Sequence, residues 1–555
     1  MVSRWRGRHG VSSMVSFRTT IIGVLLICAV LVRVALFSGG VRGSDAYAYA
    51  HQAYNIATGQ YDVTMDKQYY GFRYAVLLPT ALAYAWFGVA DWSSAFFPLL
   101  ASLGTLLLLV WLGTALFDEQ TGLFAGGCYV FFPLDLPAAT LLGPDSFIPF
   151  LSTAAFLACW LACGEQSKVG RQTGCYLLSG LCIGLAIQAR ESSVLLLGSL
   201  ICLILIRRVW SLKPLFILVG CMIPLAAEMG YYWAMTGDLF YRQSVIQQLN
   251  DLYAFDAAMA TPSQTYFVGG PTSWGYYPAA MLGWDLGGLA WFSFFIYAAL
   301  GGIVIAAWRG ELQRIVPVLA WIAVPFLYLE FGSVSLWRYV PLPKVPHYMS
   351  VISGAMVLLS AYGVVTLFRH ANCLERGPQL LSWVKWRIVG MVFVVAGLAG
   401  TSLYGTYRVL QNGQDDARPY ERVAAMVEKD PTRPIYVTHP RWILFLNYHL
   451  RYQTGINYYS HHQNFSNGRL RNLKDVEDWD HVPPAYVVLH DRYLYFDTVG
   501  KPINRAGVLS DLAQRRLSTW RIIGDEKGKP SYNSFKLLES DGVKGQSMAS
   551  LRTGM

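Results

Sequence analysis

The sequence predicts a polytopic α-helical membrane protein of about eleven transmembrane helices that ends in a small α/β domain. Three observations carry this expectation. Of the 555 residues, 54% are apolar and only 14% charged, where soluble domains carry about 25% charged residues. Mostly apolar windows fill the first three quarters of the chain, and helices of that length match a bilayer core of about 30 Å. From about Gln411 the composition turns polar.

The expected spans lie near 17–37, 94–117, 121–139, 146–163, 173–189, 193–206, 214–235, 286–308, 315–331, 349–368 and 388–406. The first follows Arg4, Arg6, Arg8 and Arg18. Its apolar part, Thr19 to Phe37, is longer than a secretory signal's, and no small-residue cleavage site stands out before Gly39-Gly40, so it is read as a retained span. With the N-terminus cytoplasmic, basic residues favour the cytoplasmic segments by roughly two to one, as the positive-inside rule expects. A further apolar segment at 72–90 is short and carries Arg73, Pro79 and several tyrosines. Counting it as a span would put the basic loops outside, so it is read as a juxtamembrane or re-entrant element. Residues 1–410 then form a transmembrane domain with exoplasmic loops at about 38–93, 140–146, 237–285 and 332–348.

Residues 411–555 are expected to form an exoplasmic, periplasmic α/β domain. Apolar runs at 434–438 and 485–489 read as buried strands, with further strands near 519–524 and 534–538 and helices at 441–452 and 504–516.

The net charge of +10 is spread among apolar segments rather than gathered into a basic face, which argues against a nucleic-acid partner. Eight of the nine cysteines lie in apolar segments and none follows Cys373, so the tail forms no internal disulfide. No His/Cys pattern has zinc spacing, and the adjacent His461 and His462 read as surface residues. No metal and no cofactor is expected. The two halves show neither a repeat nor the matched broken helices of many transporters.

Two acids stand at membrane boundaries on the same expected face. Asp45 opens an aromatic helical pattern, Ser44-Asp45-Ala46-Tyr47 onward to Gly59, and Asp145 lies in Gly143-Pro144-Asp145. Either could cap a helix and complement its dipole. Yet two acids at one boundary also form the kind of site that carries function. Cations that could meet phosphate lie on the same side: Arg73 after Tyr69-Tyr70-Gly71-Phe72, and Arg338 and Lys344 in the fourth loop. Guanidinium groups bind phosphate oxygens bidentately, and each cation also suits interfacial snorkelling.

Asp45 with its tyrosine-rich helix, the stretch from Phe72-Arg73-Tyr74 through Pro79 to Phe87-Gly88, Gly143-Pro144-Asp145, and Leu178 to Ala186 followed by Arg190-Glu191 together resemble a known family. They resemble the polyprenyl-phosphate-sugar glycosyltransferases of the GT-C fold, a superfamily with protein O-mannosyltransferases, lipid A aminoarabinose transferases and lipopolysaccharide galacturonosyltransferases. The resemblance covers residues 17–370. It implies that Asp45 activates or positions the acceptor hydroxyl and that Asp145 orients the acceptor or sugar. It also implies that Arg73, where some members have Lys, binds the donor phosphate together with Tyr70. Arg242, Arg338 and Lys344 are further candidate phosphate contacts, and Tyr47 and His347 candidate acceptor or sugar contacts.

The implied partners are a polyprenyl-phosphate-linked sugar donor, an envelope lipid, glycan or protein acceptor, and the bilayer, expected to be a bacterial inner membrane. The implied reaction is a metal-independent, inverting sugar transfer. The alternative from another class is a transporter or flippase, with Glu191, Glu228 and Glu330 as its relay candidates.

Overall fold

The computed structural model describes residues 8–64, 69–164, 169–248, 275–282, 294–333, 342, 344–373 and 394–411. Beyond them it describes 421, 423–425, 428–429, 435–437, 440–452, 470–472, 485–490, 495–496, 502–503, 521–526 and 535–540. The chain forms two compact units, one of residues 1–41, 56–64 and 68–411, the other of 42–55, 65–67 and 412–555.

The first unit is helical. In chain order its elements begin with α1 (Arg8–Ala35), and α2 (Gly43–Ala57) belongs mostly to the second unit. Then come α3 (Tyr74–Phe87), α4 (Asp91–Leu116), α5 (Glu119–Val130), α6 (Asp135–Ala138) and α7 (Phe147–Ala162). They are followed by α8 (Val169–Ala189), α9 (Leu195–Ile206), α10 (Phe216–Thr236) and helices Phe295–Trp308, Leu312–Phe331 and Ser353–Cys373. Residues 394–411 are also helical. Among the described residues, six helices are long and apolar enough to cross a membrane: 18–35, 91–116, 170–189, 213–236, 312–331 and 347–369. Four shorter apolar helices accompany them, among them Tyr74–Phe87 inside the segment read as re-entrant. Its 14 residues give about 21 Å of helix, short of a core of about 30 Å.

The expected span 121–139 is not one helix. α5 stops at Val130, and the chain turns through Phe131, Phe132 and Pro133 before the short α6. Pro133 disfavours helical backbone at the residue before it and has no N–H of its own to donate. The break lets Asp135 turn inward, where it is sealed against Arg33 of α1 at 2.5 Å. Ser102 and Tyr129 donate to the same carboxylate, each at 2.6 Å.

Helices α8 and α10 approach closely through small residues. A Cβ on Gly180 would stand 1.9 Å from the carbonyl oxygen of Ile217, and one on Gly220 would stand 2.1 Å from that of Leu177. Gly184, one turn on from Gly180, meets Pro224 and the Cys221 carbonyl in the same way. This is the small-residue packing expected of helices that meet in a bilayer, where burial of apolar area gives no preference for a neighbouring helix over lipid.

After α1, the chain is strapped to the loop that precedes α7. The Ser38 amide donates to Thr140 Oγ1 at 2.9 Å, the Gly40 amide to the Thr140 carbonyl at 3.1 Å, and the Leu142 amide to the Gly40 carbonyl at 2.7 Å. Gly40 has φ +68°, and a Cβ there would lie 2.2 Å from the Asp91 carbonyl oxygen, so the strap requires glycine.

Among its described residues, the second unit contains a five-stranded sheet. Its strands are β1 (Ile435–Val437), β2 (Leu470–Asn472), β3 (Ala485–His490), β6 (Arg521–Glu526) and β7 (Phe535–Ser540), in the order β2-β1-β3-β7-β6, with β4 (Tyr495–Phe496) and β5 (Pro502–Ile503) paired apart. β1 runs parallel to β2 and β3, while β7 runs antiparallel to β3 and β6. A helix at Pro440–His449 follows β1. The expected helix 504–516, His461 and His462 lie outside the described residues. Residues 43–55, which the sequence assigns to the transmembrane domain, belong to this unit. Tyr47 packs edge-on to Phe445 at 4.4 Å between centroids, its hydroxyl lies 2.7 Å from His449 Nε2, and Tyr54 stacks on Tyr452 at 4.0 Å.

Candidate active site

The polar centre of the first unit is built on three helix boundaries. Asp145 stands just before α7, beside the Gly40–Leu142 strap. Helix α8 ends at Ala189, and Arg190 adopts extended backbone, φ −159° and ψ 130°, which turns its side chain off the helix. Its guanidinium donates to Asp145 Oδ1 at 2.7 Å and to the His347 carbonyl at 3.3 Å, and lies 4.9 Å over the Tyr348 ring. Burial disfavours a charge on Asp145, but Arg190, with His347 and Arg73 adding to the field, outweighs it and holds the carboxyl below its ordinary value.

Arg73 sits between a single 3-10 turn, Tyr69–Phe72, and α3. Its guanidinium lies 3.7 Å from Glu191. Arg242 reaches the same carboxylate from beyond α10 at 2.6 Å and also bonds Glu228 at 3.0 Å and the Ile187 carbonyl at 3.2 Å. Tyr232, one turn along α10 from Glu228, donates to it at 2.6 Å. Phe72, Tyr232 and Val245 form an apolar wall here, with Tyr61, Tyr74 and Tyr241 packed on it. Burial works against the charge on Glu191 as well, yet Arg242 and Arg73 hold its carboxyl down to about 2. The mutual effect raises the Arg242 guanidinium above its ordinary value despite burial.

The structure therefore brings together Asp145, Arg73, Arg242 and His347, and adds Arg190, Glu191 and Glu228. Tyr70 lies half-buried in the turn before Arg73. Lys344 has a different setting. Its ammonium donates to the carbonyls of Leu329 (2.9 Å) and Glu330 at the end of Leu312–Phe331, lies 3.6 Å from the Glu330 carboxylate, and packs 5.2 Å from the Tyr277 ring. A cation at a helix C-terminus satisfies the last carbonyls and the dipole, and burial lowers the Lys344 pKa. Tyr277 bonds both to the Val345 carbonyl, at 3.1 Å, and to its amide, at 3.2 Å, which fixes the entry to the 3-10 turn Pro346–Ile352 that carries His347. Arg338 lies outside the described residues. Asp45 is exposed in the first turn of α2 and Tyr47 is buried against Phe445 and His449, both within the second unit.

The sequence names Arg190 only within a motif and Glu191 there and as a relay acid of the transporter alternative, and gives Tyr232 and Tyr277 no role. The available signal was the Arg-Glu dipeptide at the end of an apolar helix, where two opposite charges seldom stand without partners. Three buried hydroxyls on the same segments, Ser146, Ser193 and Ser350, and Arg190 Nε have no hydrogen-bond partner among the described residues. Among those residues, no three His, Cys, Asp or Glu side chains gather in a geometry that would hold a metal ion.

A family model described as dolichyl-phosphate-mannose-protein mannosyltransferase matches residues 76–233. Among solved structures, ArnT from Cupriavidus metallidurans in the apo state is similar over 95% of this chain and 98% of its own, at 15% identity and TM-score 0.58. The same protein bound to undecaprenyl phosphate gives TM-score 0.60 at 13% identity, over 94% of this chain and 98% of its own. The Archaeoglobus fulgidus oligosaccharyltransferase in the apo form gives 0.50 at 11% identity, over 85% of this chain and 69% of its own. This chain has the GT-C fold. The GT-C chain is an integral membrane protein, and its charged cluster lies within and beside the segment that the family model matches.

Proposed function

We propose that this GT-C protein is a glycosyltransferase that moves a sugar from a polyprenyl-phosphate donor to a hydroxyl acceptor on the exoplasmic face, with inversion and without a metal ion. One observation carries the reading: in this fold, Arg73 and Arg242 converge on one carboxylate, Glu191, beside the Asp145–Arg190 pair. Two guanidinium groups against a low-dielectric wall suit a lipid-linked phosphate, which brings its own apolar tail.

In the proposed reaction the acceptor oxygen attacks the anomeric carbon, and the bond to the phosphate oxygen breaks with its electron pair leaving on the phosphate. Arg73 and Arg242 meet the charge that grows there. Such electrostatic help acts without reorganisation at the moment of reaction. Asp45 accepts the acceptor's proton or holds the hydroxyl in line, a contribution on the order of 10²- to 10⁴-fold. Asp145, held ionised by Arg190, orients the acceptor or sugar, with His347 as a candidate contact, while Tyr47, enclosed by Phe445 and His449, is assigned to packing α2. Tyr70 and Arg338 remain candidate donor contacts. Lys344, engaged by Glu330, is assigned to supporting the His347 turn. The unmet hydroxyls of Ser146, Ser193 and Ser350 support a polar ligand completing this region. The bias of basic residues supports a cytoplasmic N-terminus, and a bacterial inner membrane is the proposed location.

A transporter reading would use free membrane acids. Glu191, Glu228 and Glu330 are instead each paired with a cation.

The test is turnover in detergent of a panel of short-chain polyprenyl-phosphate sugars, with membrane lipid extract as acceptor. Wild type should release polyprenyl phosphate from at least one donor, and Asp45→Asn should bind that donor but release little. Absence of both donor binding and turnover in wild type would overturn the assignment.

A further inference from the structure

We propose that Glu191 is a built-in counter-ion that holds Arg73 and Arg242 in register for the donor phosphate and competes with that phosphate, and so governs release of the polyprenyl phosphate product. The inference rests on the donor-binding reading above.

Among the described residues, the charges joined by these ion pairs sum to zero: Arg73, Arg190 and Arg242 against Asp145, Glu191 and Glu228. An arriving phosphate therefore needs one of the carboxylates to yield its place. The two that hold Arg242 are not equivalent. The Glu228 side chain is 4% exposed, lies within α10 and is bonded by Tyr232, whereas that of Glu191 is 38% exposed and begins a short 3-10 turn. Glu228 can keep Arg242 in place while Glu191 swings aside. Glu191 is also a carboxylate that both candidate phosphate-binding guanidiniums share.

The donor is a phosphodiester with a single negative charge. After transfer the product is a monoester, whose second ionisation near pH 6 brings it to about −1.5 to −2 at neutral pH. Two bare guanidiniums would hold the product more tightly than the donor, and turnover would stall on release. A carboxylate that re-forms both pairs as the product departs removes that asymmetry. It also shields the two cations from each other between cycles, which keeps their geometry ready for a ligand.

The experiment measures inhibition of donor turnover by short-chain polyprenyl phosphate, with inorganic phosphate as the probe of headgroup binding alone, for wild type, Glu191→Gln and Glu191→Asp. Glu191→Gln keeps the size of the side chain and removes the charge. The expected result is a product inhibition constant at least tenfold lower than wild type, with kcat and donor KM both reduced because release has become slow. Inorganic phosphate should inhibit this variant more strongly too. Glu191→Asp, which keeps the charge and draws it back by one methylene, should shift the product constant in the same direction by only a few-fold, and it serves if the Gln variant does not fold.

A merely structural Glu191 would give the opposite pattern, with donor and product both bound more weakly as the guanidiniums lose their alignment. That result, or an unchanged product constant, would overturn the proposal. Arg73→Ala separates the two layers. If it leaves donor and product binding unchanged, the donor-site reading fails; if it weakens both while Glu191→Gln leaves product inhibition unaltered, only the role of Glu191 fails.

Discussion

Two arginine–aspartate pairs in the first unit have the same chemistry and different surroundings. Arg33 and Asp135 are 0% and 1% exposed, and Asp135 takes hydrogen bonds from Arg33, Ser102 and Tyr129. In the second pair, Arg190 and Asp145, the carboxylate is 25% exposed, and the nearby hydroxyl of Ser146 and Arg190 Nε have no partner among the described residues. A sealed pair with its acceptor positions filled has no capacity for a ligand and holds α1 to α4, α5 and α6. An open pair can add or exchange partners. The difference lies in how many donors the fold supplies to each carboxylate, not in the length of the ion pair.

Substitutions at the two sites should therefore separate activity from stability. The largest expected effect is on catalysis: Asp145→Asn should lower turnover by about 10²- to 10⁴-fold while shifting the thermal midpoint in detergent little. If stability falls as far as activity, the open pair is structural. Next, Asp135→Ala should destabilise by about 3–5 kcal/mol, because it leaves Arg33 charged and buried. The double replacement Arg33→Met with Asp135→Leu should recover much of that loss. Failure of the double variant to recover would mean that the pair specifies a conformation apolar packing cannot restore.

Third, Gly180→Ala should cost about 1–3 kcal/mol, because its methyl group would overlap the Ile217 carbonyl between α8 and α10. Since α8 leads directly into Arg190, donor turnover should fall with it. An unaffected turnover would show that the open cluster does not depend on this helix contact.

The smallest effect is the pH response. Asp145 titrates lower in the native protein than its ordinary value of 3.8. The contribution of its ion pair to stability is thus complete above that ordinary value and is lost as the pH falls through the lower native one. For a partly exposed pair the expected size is about 1 kcal/mol or less. The loss of midpoint between pH 5 and 3 should be shallower in Asp145→Asn than in wild type.

The helical membrane architecture was legible because a bilayer demands long apolar windows, and most helix ends fall close to where those windows end. The break after Val130 was less visible, since Phe131-Phe132-Pro133 is as apolar as a span and only Pro133 marks the turn. Of the site, Asp145 and Arg73 could be named from their boundary positions, and Arg242 only through the family resemblance. Their pairings could not, because Arg190 and Asp145 are 45 positions apart and Arg242 and Glu191 are 51 apart, and local periodicity carries no information at that range. The same limit hid the contacts of α2 with residues 445–452, where Tyr47 and His449 meet across 402 positions. Lys344 looked like a phosphate ligand because its loop is aromatic and basic; its use as a helix-end cation depends on Glu330, which closes a different helix.

In the proposed reaction the open cluster around Glu191 receives the phosphate of a lipid-linked sugar. Binding of a short-chain polyprenyl phosphate to purified wild type, Arg73→Ala and the Arg33→Met/Asp135→Leu double variant tests it most directly. Wild type and the double variant should bind it saturably, and Arg73→Ala should bind it at least tenfold more weakly at unchanged thermal stability. Equal binding by Arg73→Ala and wild type would contradict it.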